Sequence, residues 1–358
     1  MDTVQLIEAI ERAETGLSTI QTALTAIKTE LSEPDQPEQL VTSESDYVMV
    51  TPDNQGVVKI PTTLQPGQIC MIDASTTVTK VIAQNVKGEA GKPITIRCER
   101  PTQVSGSSYL EDLAYVNFDM RPTAPLTFNN RTFLRRAEHI LLQYLKWVDI
   151  TNVALTMKPL VAGDVMRNII VRHCDFTDVP TGEGIYIGNN QANADQDTLR
   201  MDDITVENCT FTRTAQAFHV SGVRGFSITE NQIEDSRPAQ FPAHNGAVAV
   251  GRRSGPGVFA NNTIDGCPIN GLILTTSKMH EVEFLDNVIK NVAYARGAEN
   301  IMPSEPVGVR IHSESVVKFA NNVLENIPGI AIRASGTVQR LNDYLADNTF
   351  NNVGQAVR

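Results

Sequence analysis

Apolar residues in the first 31 positions recur at alternating steps of three and four: Thr3, Leu6, Ile10, Ala13, Leu17, Ile20, Leu24, Ile27 and Leu31. That alternation is a heptad seam and predicts an α-helical coiled coil over residues 1–32. Thr3, Ile10, Leu17, Leu24 and Leu31 fall at a; Leu6, Ala13, Ile20 and Ile27 fall at d. Leu at a with Ile at d disfavours the parallel dimer and favours three or four strands. Ile7, Ala9 and Ala23 widen the apolar face, and Gly16 weakens the middle by about 1 kcal/mol. A helix packed on its own domain needs no such regular seam. Self-association through Leu6, Ile10, Leu17, Ile20, Leu24, Ile27 and Leu31 is therefore the preferred reading, with a trimer as the expected state.

The period stops at Ser32. Residues 33–46 are acidic, carry Pro34 and Pro37, and read as a linker. From residue 47 the pattern becomes short β-branched runs broken by Gly, Asn and Pro, such as Val57-Val58-Lys59-Ile60, Ile69-Cys70-Met71-Ile72 and Ile94-Thr95-Ile96-Arg97. No later segment has the pattern of a long helix.

The C-terminal half repeats itself. HCDFTDV, NCTFTRT, ENQIEDS, NNTIDGC, DNVIKNV, NNVLENI and DNTFNNV align so that Cys174, Cys209, Asn231, Asn262, Asn287, Asn322 and Asn348 form one column. Two positions on stand Phe176, Phe211, Ile233, Ile264, Ile289, Leu324 and Phe350. Three further on stand Val179, Thr214, Ser236, Cys267, Val292, Ile327 and Val353. Three before the column stand Val171, Val206, Ile228, Phe259, Phe284, Phe319 and Leu345. The units lie 22 to 35 residues apart, so a constant core carries variable insertions. A coil of short parallel strands, each stacked on its equivalent about 4.8 Å away, produces such ladders. The apolar columns then fill the interior, and the Asn column sits at a sharp turn where its amide bonds backbone and the next Asn.

These ladders resemble the right-handed parallel β-helix of the pectate-lyase-like proteins. Glu183-Gly184-Ile185-Tyr186-Ile187-Gly188 and Asn270-Gly271-Leu272-Ile273-Leu274 look like strand openings of that family. Leu64-Gln65-Pro66-Gly67-Gln68 and Gly91-Lys92-Pro93-Ile94-Thr95-Ile96-Arg97 look like its N-terminal turns. The resemblance implies an all-β solenoid over residues 47–358, behind a short N-terminal coiled coil. It does not select a function, since this fold hosts lyases, hydrolases, epimerases, esterases and phage tailspikes.

Charge sharpens the division. Of the net −11, residues 1–46 carry −8, with ten acids against Arg12 and Lys28. That argues for a separate N-terminal module and against nucleic acid as the main partner. No run approaches the roughly 20 apolar residues of a membrane span. Met1-Asp2-Thr3-Val4-Gln5 has no basic or apolar signal character, so no signal peptide is expected. The five cysteines, Cys70, Cys98, Cys174, Cys209 and Cys267, lack metal spacing and read as buried free thiols, suited to folding in a reducing cytoplasm.

Outward positions on the strands that follow each ladder unit supply the candidate chemistry. Ile185/Ile187, Phe218/Val220, Leu272/Leu274, Val309/Ile311 and Ile330/Ile332 are expected inward. Tyr186, His219, Ile273, Arg310 and Ala331 are then outward, with Ser221, Thr275, His312 and Arg333 one step on. Variable loops at 236–245 and 293–307 border this row, as loops around binding grooves do. The candidate glycan-binding set is Tyr186, His219, His244, Arg252, Arg253, Arg310 and His312, with Glu183 and Glu305 nearby. As a lyase, His219 or Tyr186 would take a proton beside a uronate carboxylate and Arg310 would neutralise that carboxylate. No carboxylate pair for glycoside hydrolysis stands on the row. The same groups would also serve as a binding surface, or simply solvate the sheet.

The multi-aspartate, aspartate–histidine and lysine–arginine signatures of enzymatic relatives do not map onto this chain, so no catalytic set carries over. The loop Gly188–Asp203, with Asp195, Asp197, Asp202 and Asp203, offers oxygen ligands for Ca²⁺. Its spacing is not that of an EF-hand, and a polar surface loop is the preferred reading; no cofactor or other metal is expected. Trp147 in Leu145-Lys146-Trp147-Val148 reads as a strand residue packed under a loop rather than a sugar platform.

A trimer-type coil joined to a β-helix is similar to bacteriophage spike and fibre proteins. The resemblance implies a virion-surface protein of tailspike, fibre or decoration type, folded in the host cytoplasm. It would dock to other virion proteins through its N-terminal helix and contact cell-surface polysaccharide. A polysaccharide lyase acting on acidic polysaccharide, and a purely structural decoration protein, are the alternatives.

Overall fold

The computed structural model describes residues 47–159, 164–188, 200–236, 246–251, 254–267, 269–275, 279–292, 306–312, 315–335 and 346–358. The chain divides into two units, Met1–Ser45 and Asp46–Arg358. The coiled-coil residues of 1–32 and the linker 33–46 lie outside the described residues, as do His244, Arg252, Arg253, Glu305, Asp195 and Asp197.

Short β-branched runs cannot bury both of their faces alone, and here each is stacked on its copy one turn along. The described residues form 27 strands, and the pairings between these strands are parallel. They wind as a parallel β-helix with three sheets. Sheet 1 runs through Val165–Arg172, Arg200–Glu207, Arg224–Thr229 and Gly257–Ala260. Sheet 2 runs through Leu145–Val148, Gln232–Glu234, Thr263–Cys267 and Val288–Val292. Sheet 3 runs through Lys80–Gln84, Leu155–Met157, Val248–Gly251, Asn270–Thr275 and Val307–His312. The long strands Asp175–Gly188, Thr210–Ser221 and Val323–Ser335 pass from sheet 2 into sheet 3 around a corner.

Left-handed residues make the corners. From sheet 1 to sheet 2, Tyr144, His173, Asn208, Glu230, Asn261, Asp286 and Asn321 have φ between 52° and 60°. From sheet 2 to sheet 3, Asp149, Asp178, Arg213, Asp235, Asn291, Asn326 and Asn352 have φ between 51° and 57°. A single αL residue reverses the pleat and turns the strand sharply, and Asn and Asp tolerate it best.

The residue after the first corner is the expected ladder. Asn262 Nδ2 shares its donors among Ile228 O, Ala260 O and Asn287 Oδ1, at 2.9, 3.0 and 3.1 Å. Its backbone N–H also donates to Asn287 Oδ1, at 3.0 Å. Asn231, Asn287 and Asn322 repeat the pattern up to Asn348. Cys209 and Cys174 extend the column downward: each thiol donates to carbonyls of its own turn and of the turn before, as the amides do. The apolar columns are in the expected register: Phe176, Phe211, Ile233, Ile264, Ile289, Leu324 and Phe350 pair in turn, as do Val171, Val206, Ile228, Phe259, Phe284 and Phe319.

Trp147 is fully buried, stacked between Phe128 at 5.4 Å and Phe176 at 4.6 Å, and its indole N–H donates to Thr132 Oγ1 at 2.9 Å. It packs in the interior ring stack, not beneath a loop. The five cysteines are buried and free. Burial pushes the Cys70 and Cys267 thiols up to about 12.

Candidate functional site

The outward face of sheet 3 carries one continuous column. Tyr109 pairs with Phe133, Phe133 with Thr156, Thr156 with Tyr186, and Tyr186 with His219. Ala249, Ile273, Arg310 and Arg333 follow in register. Eight rung spacings separate Tyr109 from Arg333, about 38 Å along the solenoid axis. The column is ring-bearing at one end and cationic at the other.

At the ring end, Tyr109 and Phe133 stack with centroids 5.3 Å apart and planes 13° from parallel. Arg135 reaches over Phe133 at 4.5 Å, and Glu111 fixes it at 2.9 Å. Ser108-Tyr109-Leu110 and Thr132-Phe133-Leu134 share a buried hydroxyl, an outward ring and an inward Leu. That shared triplet was a legible signal; reading the repeat from its asparagines alone passes over Tyr109 and Phe133.

In the middle, Tyr186 and His219 lie on adjacent rungs with ring centroids 5.1 Å apart and tilted by 39°. His219 Nδ1 is 3.7 Å from Glu183 Oε1. The Tyr186 ring is 8% exposed and the His219 side chain 26%. A carboxylate, an imidazole and a phenol are thus brought together. Beside them run Gly188, Ser221 and Gly251, a nearly bare strip of sheet. Gly188 has a φ of 126°, and a Cβ there would stand 1.8 Å from Ser221 O, so the close approach of these two rungs requires glycine.

At the cationic end, Arg310 faces Arg333 across one rung. The Arg310 guanidinium is half-buried, and its Nε is shielded, with no hydrogen-bond partner among the described residues. Burial, and then the Arg333 charge, pull its pKa below the usual guanidinium value. The expected outward partner on that rung, Ala331, is instead fully buried in the core. Ile330 pairs with Val307 and Ile332 with Val309, two residues off the simple count. Arg333 therefore belongs to the same column as Arg310.

Arg310 stands three rungs from His219, about 14 Å. The structure groups Glu183, Tyr186 and His219, and separately Arg310 and Arg333. His312 lies at the end of Val307–His312, two residues beyond Arg310 and in register with Ser335. Asp202 pairs with Arg224 at 3.4 Å, and Asp203 sits at an αL corner. Among the described residues no group of three or more His, Cys, Asp or Glu is placed to hold a metal ion. Among them, too, no helix is long and apolar enough to cross a membrane.

A family model described as a right-handed β-helix region matches residues 161–352, more than half of the chain. The chain belongs to this right-handed β-helix family. No curated protein matches it by sequence. Among solved structures, PfbA, a surface adhesin of Streptococcus pneumoniae, is similar with a TM-score of 0.56 at 10% identity, over 87% of this chain and 82% of that one. An alginate lyase from Paenibacillus sp. str. FPU-7 gives 0.48 at 15% identity, over 82% and 93%. The A-module of the Azotobacter vinelandii mannuronan C-5 epimerase AlgE4 gives 0.35 at 13%, over 85% and 88%. At these identities the likeness is one of fold. The function of this β-helix has to be argued from its own outward column.

Proposed function

We propose that the protein is a homotrimeric virion protein of the tailspike, fibre or decoration type, whose β-helix holds an extended surface polysaccharide along the outward column of sheet 3. The carrying observation is the column itself, with rings at Tyr109, Phe133, Tyr186 and His219 leading to Arg310 and Arg333. A linear ligand matches a 38 Å row better than a compact one. Ring faces suit the C–H faces of sugars. Paired guanidinia suit a carboxylate or sulfate substituent, whose negative charge would offset the like charges that Arg310 and Arg333 place on neighbouring rungs. The trimer rests on the heptad seam of residues 1–32.

Affinity electrophoresis through gels holding alginate, polygalacturonate, hyaluronan or dextran tests the binding. Retardation is expected in at least one acidic gel, and it should vanish in the His219→Ala/Arg310→Ala double variant. No retardation in any gel, or retardation the double variant keeps, removes the proposal. Light scattering tests the assembly: the full chain should be a trimer, and a chain beginning at Tyr47 a monomer.

The contact between Glu183 and His219, beside Tyr186, favours a second reading as a polysaccharide lyase. His219 would take the proton beside a uronate carboxylate, with Glu183 holding the imidazole. Arg310 is too far along the row to neutralise that same carboxylate, which is why binding is the first reading. Growth of unsaturated-uronate absorbance on alginate or polygalacturonate, abolished by His219→Ala, would replace binding by cleavage.

A further inference from the structure

The corner between sheets 1 and 2, away from the sheet-3 column, holds a pocket that the proposed function does not use. Its wall is a turn that leaves the solenoid, in which Arg121 and Ala124 pair as an antiparallel bridge and Ala124 N–H donates to Arg121 O at 2.9 Å. Pro122 within that turn and Pro125 directly after it stiffen the segment. Facing them are Tyr144 and His173, successive αL residues of the corner column, with rings 5.2 Å apart and 13° from parallel. Lys146 and Asp175 are in register on adjacent rungs of sheet 2, and their ion pair is 2.8 Å long. Asn208 also lines this half-open pocket, whose volume is about 270 Å³.

We propose that this pocket binds a single neutral sugar ring, as a second glycan subsite separate from the sheet-3 face. Three features argue for that ligand. The walls combine proline and aromatic surfaces, which match the C–H faces of a pyranose. The polar groups offer both donors and acceptors, an ammonium, a carboxylate and an amide, as a ring of hydroxyls requires. Lys146 and Asp175 already neutralise each other, so the pocket favours an uncharged sugar over a uronate. The size argues for one ring, since the volume lies near the lower end of small-ligand pockets, about 300–1,000 Å³. The site is also preorganised: Lys146 and Asp175 flank the buried Trp147–Phe176 stack, which fixes their strands.

Saturation-transfer NMR on the full chain tests this. The probes are the methyl glycosides of glucose, galactose, mannose, rhamnose and N-acetylglucosamine, with methyl glucuronoside as the charged control. At least one neutral glycoside should receive saturation. Tyr144→Asn and Asp175→Asn should each abolish that transfer, while His219→Ala and Tyr144→Phe leave it in place. Tyr144→Asn is chosen because Asn already occupies this αL corner at 208, 261 and 321, so the ring is removed without disturbing the turn. Transfer to no neutral glycoside overturns the proposal. So does transfer that survives Tyr144→Asn, or that disappears with His219→Ala.

Discussion

The lower and upper turns of this β-helix share one backbone coil and hold it with different chemistry. Below Phe211, the interior of sheet 2 is a stack of rings, Phe128, Trp147, Phe176 and Phe211, at 4.6 to 5.4 Å. The outside of those turns is laced by ion pairs across rungs, Arg97–Asp119, Arg135–Glu111, Arg136–Asp112 and Arg167–Glu138. Above it, the same interior column is aliphatic, Ile233, Ile264, Ile289 and Leu324. There the turns are tied by asparagine amides, buried from Asn231 to Asn322 and exposed through Asn291, Asn326 and Asn352. Cys174 and Cys209 mark the changeover, with thiols directed at carbonyl positions that the amides use further up. A parallel coil thus requires some cross-rung tie at each turn, but not a particular one.

The largest test of this contrast breaks an amide in mid-ladder. Asn262→Ala leaves the Asn231 amide and backbone N–H without their acceptor and strips Ile228 O and Ala260 O of a donor. The Asn231 amide keeps Val206 O and Thr229 O, but five hydrogen bonds through the Asn262 side chain are lost, and at about 1 kcal/mol each the loss is on the order of 5 kcal/mol. Asn262→Cys should lose clearly less, because the thiol can reach the carbonyls that Cys174 and Cys209 reach. Urea midpoints of the two variants measure the difference. Equal losses would mean that the cysteines are mere fillers and not shortened rungs.

The lower turns have a counterpart in Trp147→Ala. It removes the largest ring of the stack, opens a cavity between Phe128 and Phe176 and strands the Thr132 hydroxyl. About 3–5 kcal/mol is expected, as for other large-to-small core changes. Hydrogen exchange should show the loosening centred on turns 126–176, with the Asn231–Asn348 ladder still protected. Loss of protection spread evenly over both halves would show that the two devices do not act locally.

This division explains which parts were legible in the sequence. The upper columns were readable because each unit keeps Asn at one offset and an apolar residue two further on, and the pairings match that count through Phe350. The lower turns keep the geometry without the asparagine, so Tyr109 and Phe133 fall outside the asparagine repeat and show only in the shared hydroxyl–ring–Leu triplet. The outer ladder Asn291–Asn326–Asn352 was hidden because Asn at a corner also reads as an ordinary turn residue. Tyr186 and His219 were placed on neighbouring rungs correctly, since a constant corner joins them to their ladder units. Arg333 is expected one step off the row, at the level of His312, and instead pairs with Arg310, a register shift of two that no spacing rule reveals. The approach of Glu183 to His219 and the pocket at Tyr144 depend on side chains from different turns, which a linear pattern does not bring together.

The smallest test uses acid, which distinguishes the two devices by charge. The Arg136 guanidinium, bonded to both Asp112 oxygens at 2.6 and 2.9 Å, holds the Asp112 carboxyl below its ordinary value of 3.8. A depressed carboxylate pKa means that the folded form binds the proton more weakly than the unfolded chain. Its stabilisation is therefore full above about 4 and is lost as the pH falls through the lower, folded value. Both side chains are 33% exposed, so screening leaves a few tenths of a kcal/mol at most. Asp178 shifts in the same direction beside Arg213. The asparagine ladder has no proton to take up in this range. Hydrogen exchange between pH 5 and 3, corrected for intrinsic rates, should therefore rise first around Asp112 and Arg136 while the turns from Asn262 to Asn322 keep their protection. Asp112→Asn should start with slightly lower protection and show a flatter response. A parallel loss in both halves would indicate that acid acts through the whole solenoid and not through the ion-paired turns.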